Sequence, residues 1–390
     1  MMHAQSNCAC QIRRLWQQRS TNVHLKLYST AVQFGAYQKI FEMLQLSNLT
    51  SFESERALLS GLNATHVFTV VLKATYDIAE NGDVTPADLQ EPVSLSAVPS
   101  VEGTASTLVR EVELTLDHPG TDVIVNGSVH APNARPVSHL DAAMDINGVR
   151  IQFRCHGDRV WEKRGWSVLP SAPEPFAKMP LIYERAFGGG HAADASQTGA
   201  VEDPRNPIGK GYCTDPSRVI GAPVPNFESA QTPLSEAKAN KIFPVIGLAA
   251  RPAEWEPRRS YGGTYDDAWM KSRMPHWPSD VDPRFFRVAA PALQFPNPLV
   301  GHERVVLHNM SRSGQLAFKL PRVIPIVRTT MAGRIIPQEV NLRRVIIEPD
   351  LGKLVMLWRS TLDCGADGRH VEKTVVDLRP MRRATPAVAV

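Results

Sequence analysis

The sequence contains little cysteine and lacks any long apolar run. Its five cysteines are scattered over 390 residues, and an odd, dispersed set does not indicate a disulfide framework. Reduced thiols, as in a cytoplasmic protein, are therefore expected. No window of about 18 residues is apolar throughout, so the sequence predicts no transmembrane helix and no membrane partner.

An excess of charge of one sign is also missing from most of the chain. The 43 Lys and Arg side chains nearly balance the 39 Asp and Glu side chains, which argues against a nucleic-acid partner because such proteins usually concentrate a basic excess. The small excess lies in residues 1–42, where five basic side chains face one acidic side chain. We interpret this stretch as a leader. Either Met43 is the biological start of the protein, or residues 1–42 form a poorly packed extension. Residues 43–380 are predicted to form a single β-rich domain.

Motifs of the common enzyme classes are absent as well. Gly188-Gly189-Gly190 lacks the Lys-Ser/Thr pair of a phosphate-binding loop, and no GxGxxG fingerprint or GxSxG elbow occurs. The histidines show neither the HExxH pattern nor zinc-finger spacing. We therefore expect no cofactor and no metal, and we interpret the glycine run as a tight turn.

Two groups of acidic residues could imitate a glycosidase site, which needs two carboxyl groups facing one bond. Asp266 and Asp267 lie close to Trp269, but adjacent residues of a helix do not face the same way. Glu184 beside Arg185 is more typical of a structural ion pair. We expect no catalytic residue, although an enzyme acting on a polysaccharide or peptidoglycan fragment in a cleft stays an alternative.

What the sequence does contain is strand-forming residues separated by turn signals. They occupy a β scaffold at 60–165 and a set of returning strands at 300–360. Asn147-Gly148 between two apolar runs is the strongest hairpin signal. The fold class is therefore mainly β, with antiparallel sheets in a sandwich- or barrel-like arrangement and little helix. Strands are predicted at 66–77, 106–116, 122–130, 142–146, 149–154, 304–308, 314–320, 342–348 and 353–359.

The stretch 170–298 is different, because it holds 19 of the 31 prolines and 10 of the 25 glycines. Proline removes a backbone donor and fixes φ, so neither long helices nor central strands are expected there. The stretch is also rich in aromatic residues, which disordered segments lack. It is predicted to be a long, ordered, irregular excursion across the β scaffold, with one short helix at 264–273 capped by Thr264.

Three tryptophans of this excursion are candidate binding residues, namely Trp255, Trp269 and Trp277. Aromatic side chains dominate binding hot spots, but they also attach irregular loops to their own scaffold. The sequence leaves both interpretations open, and the exposure of each side chain decides between them. An exposed tryptophan would contact a partner, and a buried one would be structural.

Several short motifs follow one another in a fixed order over residues 60–360. The most specific is Tyr183-Glu-Arg-Ala-Phe-Gly-Gly189. The others are Lys73–Asp77, Thr121–Val125 with Gly127, Gly157-Asp158-Arg159 with Trp161, Asn206–Gly211, Pro225–Glu228, Gly263–Asp266 with Trp269, and Asp282–Phe286. In this order they resemble the bacterial family called domain of unknown function 2169. The motif residues interpreted as structural are Gly157, Asp158, Arg159, Trp161, Tyr183, Glu184, Arg185, Phe187, Gly188 and Gly189.

The resemblance implies a function that the residues alone do not. Members of this family are associated with type VI secretion, so the protein is expected to be a cytoplasmic, non-catalytic adaptor or chaperone. Its expected partners are a cognate toxin effector and a VgrG-type spike protein. An effector subunit that travels with the spike is a further alternative. The family has no established catalytic residues, and none can be assigned here.

Overall fold

The computed structural model describes residues 44–102, 104–191, 201–366 and 370–379, and the predicted leader lies outside them. Strands dominate these residues, which confirms the mainly-β fold class. The described part contains one α-helix, α1 (Asp267–Ser272), and six short 3-10 helices. No helix among the described residues is long and apolar enough to span a bilayer.

The described residues contain 26 strands, which fall into three groups along the chain. Those before the excursion are β1 (Gln45–Asn48), β2 (Glu53–Ser60), β3 (His66–Ile78), β4 (Val84–Pro86), β5 (Val98–Pro99), β6 (Leu108–Arg110), β7 (Thr121–Val125), β8 (Ser128–His130), β9 (His139–Ile146), β10 (Val149–His156), β11 (Trp161–Arg164) and β12 (Ser167–Pro170). Those within it are β13 (Lys178–Pro180), β14 (Phe187–Gly188), β15 (Gly190–His191), β16 (Val201–Glu202), β17 (Lys210–Gly211), β18 (Phe227–Glu228) and β19 (Gln294–Phe295). Those after it are β20 (Arg304–His308), β21 (Gln315–Lys319), β22 (Pro325–Met331), β23 (Arg334–Gln338), β24 (Asn341–Glu348), β25 (Lys353–Asp363) and β26 (Val371–Leu378).

The largest sheet combines strands that lie before, within and after the excursion. Its strand order is β19-β7-β24-β25-β3-β2, and β4 pairs with β3. The predicted strand at 66–77 is β3, and its β-branched, apolar residues are almost all buried. The predicted pair at 342–348 and 353–359 is the hairpin β24–β25, which turns at Gly352 with a φ of 61°. These predictions are confirmed.

The second sheet has five strands in the order β18-β10-β9-β20-β21. The hairpin β9–β10 turns through Asn147 and Gly148, with φ values of 48° and 78°. Two successive positive φ values are what a type I′ turn requires, so the hairpin signal predicted the turn as well as the strands. The predicted strands at 304–308 and 314–320 form the hairpin β20–β21.

A third sheet of four strands has the order β1-β26-β22-β23. The apolar residues of all three sheets meet in one core, which contains Met144 and Leu307 of the second sheet, Val345 and Met356 of the first, and Val376 of the third. Each sheet has two free edges in the part of the chain that the structure describes, so none of them closes into a barrel.

The other face of the largest sheet is charged although it is buried. Lys73, Leu357, Arg344 and Asp122 lie in one row across β3, β25, β24 and β7, because each is the register partner of the next. A third cation, Arg359, lies two residues along β25 from Leu357, on the same face, and has almost no exposed surface. Buried charges need ionic partners or hydrogen bonds, so this face has to be covered by polar groups.

The cover is formed by residues that were predicted to be a strand at 106–116. That prediction is wrong, since only β6 is a strand there. The carbonyl oxygen of Glu111 accepts a hydrogen bond from Arg344, and that of Glu113 accepts one from Arg359. The backbone carbonyl oxygens of this segment therefore accept hydrogen bonds from buried guanidinium groups, whereas its β-branched residues had indicated hydrogen bonds to a neighbouring strand.

The excursion is irregular, as its proline content indicates, and its longest strand has three residues. The predicted helix exists but is shorter than 264–273 and has a different cap. Asp266 Oδ1 accepts a hydrogen bond from the backbone N of Trp269 at 2.8 Å and so caps α1. Thr264 instead donates its hydroxyl to Asp280, which holds the chain before the helix.

Candidate functional site

Three family motifs that are far apart in sequence meet in one place. Asn206 donates its side-chain amide to the carbonyl oxygens of Tyr183 and Phe187, at 2.9 and 3.0 Å. Gly188 has a φ of 147°, and a Cβ added to it would lie 2.2 Å from the carbonyl oxygen of Asn206. At Gly157, an added Cβ would lie 1.6 Å from a backbone oxygen. The glycines of these motifs therefore permit close approach of the backbone rather than phosphate binding.

Ion pairs between the motifs fix the loops further. Arg185 Nη1 donates to Asp158 at 2.9 Å and to Asn226 at 3.2 Å, rather than to the neighbouring Glu184. Glu184 accepts from the backbone N and the hydroxyl of Thr107. The guanidinium of Arg185 therefore links two motif loops, which is a structural role of the kind expected for it.

A cavity of about 460 Å³ opens between these loops, and we call it the motif pocket. Apart from Glu174, its charged lining comes from the motifs themselves, and its apolar lining comes from the residues around them. The residues on its wall used below are Asp158, Arg159, Val160, Ala172, Glu174, Glu184, Arg185, Lys210 and Pro223. The motif residues thus build a concave surface in addition to holding the loops.

Lys210 is the group of the motif pocket with the most perturbed protonation. Burial lowers its pKa to about 8, Asp158 opposes this shift, and the positive charges of Arg185 and Arg159 add to it. Its side chain is 19% exposed, and Nζ lies 3.9 Å from Asp158 Oδ1. Lys210 therefore faces the pocket as a partly desolvated amine.

One wall of the motif pocket continues into the hairpin β11–β12. The two-residue loop at its tip is Gly165-Trp166, and Gly165 has a φ of 62°. A positive φ at the first loop position is what a type II′ turn requires. Trp166 is fully exposed, and it is the only exposed tryptophan of the described residues.

The base of this hairpin is held firmly. Trp161 is buried in a cluster with Phe187 and Phe243, and its backbone N donates to Ala222 at 3.0 Å. The tip is about 15 Å from the base of the hairpin, where Val160 lines the motif pocket, since a strand rises about 3.3 Å per residue. An exposed indole is therefore presented on a rigid support beside the pocket.

The three tryptophans selected from the sequence lie elsewhere. Trp255 and Trp269 are buried, and Trp255 packs on Tyr183 with ring centroids 5.1 Å apart. Trp277 is half-buried between Phe285 and Phe286. Contact with a partner requires exposed surface, so we assign structural roles to the two buried side chains and do not place the binding surface on this set.

Sequence reasoning overlooked both Trp166 and Lys210. The signal for Trp166 was weak, because Gly165-Trp166 is a possible two-residue turn but the residues on either side of it, 161–164 and 167–170, include few strand formers. The signal for Lys210 was hidden, since Asn206–Gly211 served only as one motif of the family pattern. Its burial depends on the meeting of distant loops.

Acidic residues considered for catalysis do not converge. Asp266 caps α1, and Asp267 is the first residue of that helix. In the motif pocket, Arg185 and Asn226 donate hydrogen bonds to Asp158, and its pKa is lowered despite partial burial. Among the described residues no group of three His, Cys, Asp or Glu side chains is arranged to hold a metal ion.

The fold and the pocket define a mainly-β protein in which loop motifs surround a cavity with charged and apolar lining, next to a projecting hairpin. The sequence pattern of one family, described as an uncharacterized protein conserved in bacteria and named domain of unknown function 2169, matches residues 63–359. This range is more than half of the chain, and the protein belongs to that family. No curated protein and no solved structure gives a significant match.

Proposed function

We propose that the protein is a non-catalytic adaptor or chaperone that helps to load a toxin effector onto the type VI secretion spike in the cytoplasm. Its partners are the effector and a VgrG-type spike protein, with no nucleic acid and no membrane involved. The observation that carries this proposal is the exposed Trp166 at the tip of an anchored hairpin. The link to type VI secretion itself comes from the family resemblance.

An exposed tryptophan on a rigid support suits protein recognition for two reasons. Tryptophan is enriched in binding hot spots because it buries a large area with few rotatable bonds. The hairpin also presents the side chain in one backbone conformation, which lowers the ordering cost of association. Val160 and Ile220, both exposed by 40% or more, lie at the base of the same hairpin.

The motif pocket supports binding rather than catalysis. Its two best-positioned carboxylates, Asp158 and Glu184, already accept hydrogen bonds from Arg185, Asn226 and Thr107. Groups engaged in this way orient loops and are poor proton donors. The enzyme alternative would have to use Lys210, which is the one group in the pocket with a pKa near neutrality.

The test is co-purification from the native host with a tagged full-length protein. The wild type is expected to bring down a spike protein and one toxin, and Trp166→Ala is expected to reduce recovery of at least one of them about 10-fold or more, the scale of a hot spot. Leu351→Ala is the matched control, because Leu351 is also an exposed apolar residue in a turn but lies on another hairpin. Equal recovery with Trp166→Ala and wild type would contradict the assignment of the hairpin.

The same preparation separates the alternatives. An adaptor that acts before secretion stays in the cells, whereas an effector subunit that travels with the spike is found in the medium of secreting cells. Turnover of peptidoglycan fragments that is lost in Lys210→Met would favour the enzyme. Recovery of neither a spike protein nor a toxin with the wild type would refute the proposed function.

A further inference from the structure

The motif pocket contains one charged group, the ammonium of Lys210, to which the neighbouring residues that the structure describes offer no hydrogen bond. The ammonium of Lys210 lies 3.9 Å from Asp158, too far for a hydrogen bond, and no hydrogen bond to it is found in the described part of the chain. Because its side chain is 19% exposed, water solvates it only in part. A largely buried ammonium is unfavourable unless it is paired and hydrogen-bonded.

Asp158 cannot satisfy Lys210 alone, because it is shared. Its Oδ1 accepts from Arg185 Nη1 and from Asn226 Nδ2, both at 2.9 Å. The Nε and Nη2 groups of Arg185 have no hydrogen-bond partner among the residues that the structure describes, and its side chain is 28% exposed. Two cations that face the pocket therefore depend on one carboxylate.

The other charged groups of the pocket are engaged or lie at its rim. Arg159 pairs with Glu228 in a buried contact, Glu184 accepts two hydrogen bonds from Thr107, and Glu174 is exposed. These carboxylates repel a dianion such as phosphate more strongly than a monoanion. The planar fork of an arginine matches both a carboxylate and a phosphate, so the lower charge of the carboxylate decides between them. A carboxylate is therefore the anion that suits this pocket.

We propose that the motif pocket binds a carboxylate carried by a segment of the partner protein, with Arg185 and Lys210 as the binding residues. This inference rests on the proposed adaptor function and names the chemistry that the pocket recognises. Val160, Ala172 and Pro223 line the same cavity and contact the carbon atoms next to the carboxylate. Either an acidic side chain or a free carboxyl terminus supplies the group.

Binding is linked to protonation of Lys210. Its pKa of about 8 results from burial, which Asp158 opposes and the charges of Arg185 and Arg159 reinforce. A bound carboxylate adds negative charge beside the ammonium and raises this pKa. Above pH 8 the formation of the complex therefore takes up protons, and the affinity of the protein for the carboxylate falls as the pH rises. A hydrogen-bonded surface contact elsewhere would show no such linkage.

Two pairs of capped peptides test the inference by calorimetry on the full-length protein. Ac-Gly-Asp-Leu-NH2 against Ac-Gly-Asn-Leu-NH2 tests a side-chain carboxylate, and Ac-Gly-Gly-Leu-OH against Ac-Gly-Gly-Leu-NH2 tests a carboxyl terminus. At least one acid is expected to bind at least 10-fold more tightly than its amide, with net proton uptake at pH 8.5. Lys210→Met should remove this difference, and Lys163→Met, on the exposed hairpin strand, should leave it unchanged.

Two further measurements keep the test decisive. If Lys210→Met does not fold, Arg185→Gln replaces it, and the same loss of discrimination is expected. Equal binding of acids and amides by the folded wild type overturns the inference. Co-purification is scored independently: recovery of spike and toxin without carboxylate discrimination refutes only the pocket, whereas discrimination without recovery refutes the adaptor function.

Discussion

Lys73 and Glu113 form an ion pair in which neither side chain has any exposed surface, with Nζ 2.9 Å from Oε2. Lys73 lies on the central strand β3, and Glu113 belongs to the irregular cover over the charged face of the largest sheet. The pair therefore fixes a non-repetitive segment to the sheet that supports the whole fold. Lys73 also pairs with Glu91, and the contact at 2.8 Å extends this attachment toward the surface.

Replacing one member of this pair is expected to be costly. Lys73→Met leaves the carboxylate of Glu113 buried without its cation, and the loss of stability should be about 3–5 kcal/mol. Lys353→Met is the control, because Lys353 pairs with the half-exposed Asp77 at the end of the same ladder and should cost less than about 1 kcal/mol. Urea denaturation of both variants measures the difference, and a similar small effect for both would contradict the attachment.

Stability is expected to fall as the pH is lowered through the range of a buried histidine. Burial lowers the pKa of His118 to about 4, with Arg359 acting in the same direction and Asp122 opposing it. An unfolded histidine has a pKa of about 6.5, so the unfolded state binds more protons between pH 6.5 and 4. Protonation therefore favours unfolding, and His118 should contribute a loss of about 2–3 kcal/mol between pH 7 and 4.5.

The histidine contribution can be separated from that of the carboxylates. His118→Gln keeps a donor for the carbonyl oxygen of Pro119 and should flatten the dependence of the unfolding free energy on pH in this window. An unchanged pH dependence in His118→Gln would show that this residue does not contribute. His156, whose pKa burial also lowers to about 4, keeps its own contribution in this variant.

Strands with regular partners were predictable from the sequence, because their pattern is local. The hairpin at Asn147-Gly148 shows this most clearly, since turn and strands agree. The segment 106–116 shows the limit. Its β-branched residues satisfy the same pattern, but Arg344 and Arg359 arrive from strands more than 200 residues later and take its carbonyl oxygens. No local pattern contains that information.

The candidate site was predictable only as a set of motifs. Their order indicated the family, and Arg185 was expected to be structural, but its partner Asp158 lies 27 residues away and could not be chosen from among many carboxylates. The solvent exposure of individual side chains was harder to predict. Trp255 and Trp166 are both tryptophans near glycine and proline, and the packing of Tyr183 on Trp255 depends on the folded excursion.

Arg185 is expected to stabilise the motif loops through Nη1, which donates to both Asp158 and Asn226. Arg185→Lys keeps the charge, but its shorter side chain does not place the ammonium where Nη1 lies, so a loss of about 1–2 kcal/mol is expected, with the lower end favoured because the site is partly exposed. Arg150→Lys, on an exposed pair with Asp145, should change stability by less than about 0.5 kcal/mol. Thermal or urea unfolding compares the two, and equal effects would remove the special role of Arg185.

Two tryptophans should respond in opposite ways to the same substitution. Trp255→Ala removes a buried ring that packs on Tyr183, and it should destabilise the protein by about 3–5 kcal/mol. Trp166→Ala removes a ring that touches little of its own chain, so stability should change by less than about 0.5 kcal/mol. The unfolding free energy in urea measures both.

Fluorescence provides a check that does not depend on stability. Among the tryptophans that the structure describes, Trp166 contributes the emission that acrylamide quenches most readily, because its indole is open to solvent. Trp166→Ala should therefore reduce the quenchable fraction while the protein stays folded, and Trp255→Phe should not. If Trp166→Ala instead unfolds the protein or leaves quenching unchanged, the hairpin tip packs against other residues, and the partner surface must be sought on the sheets.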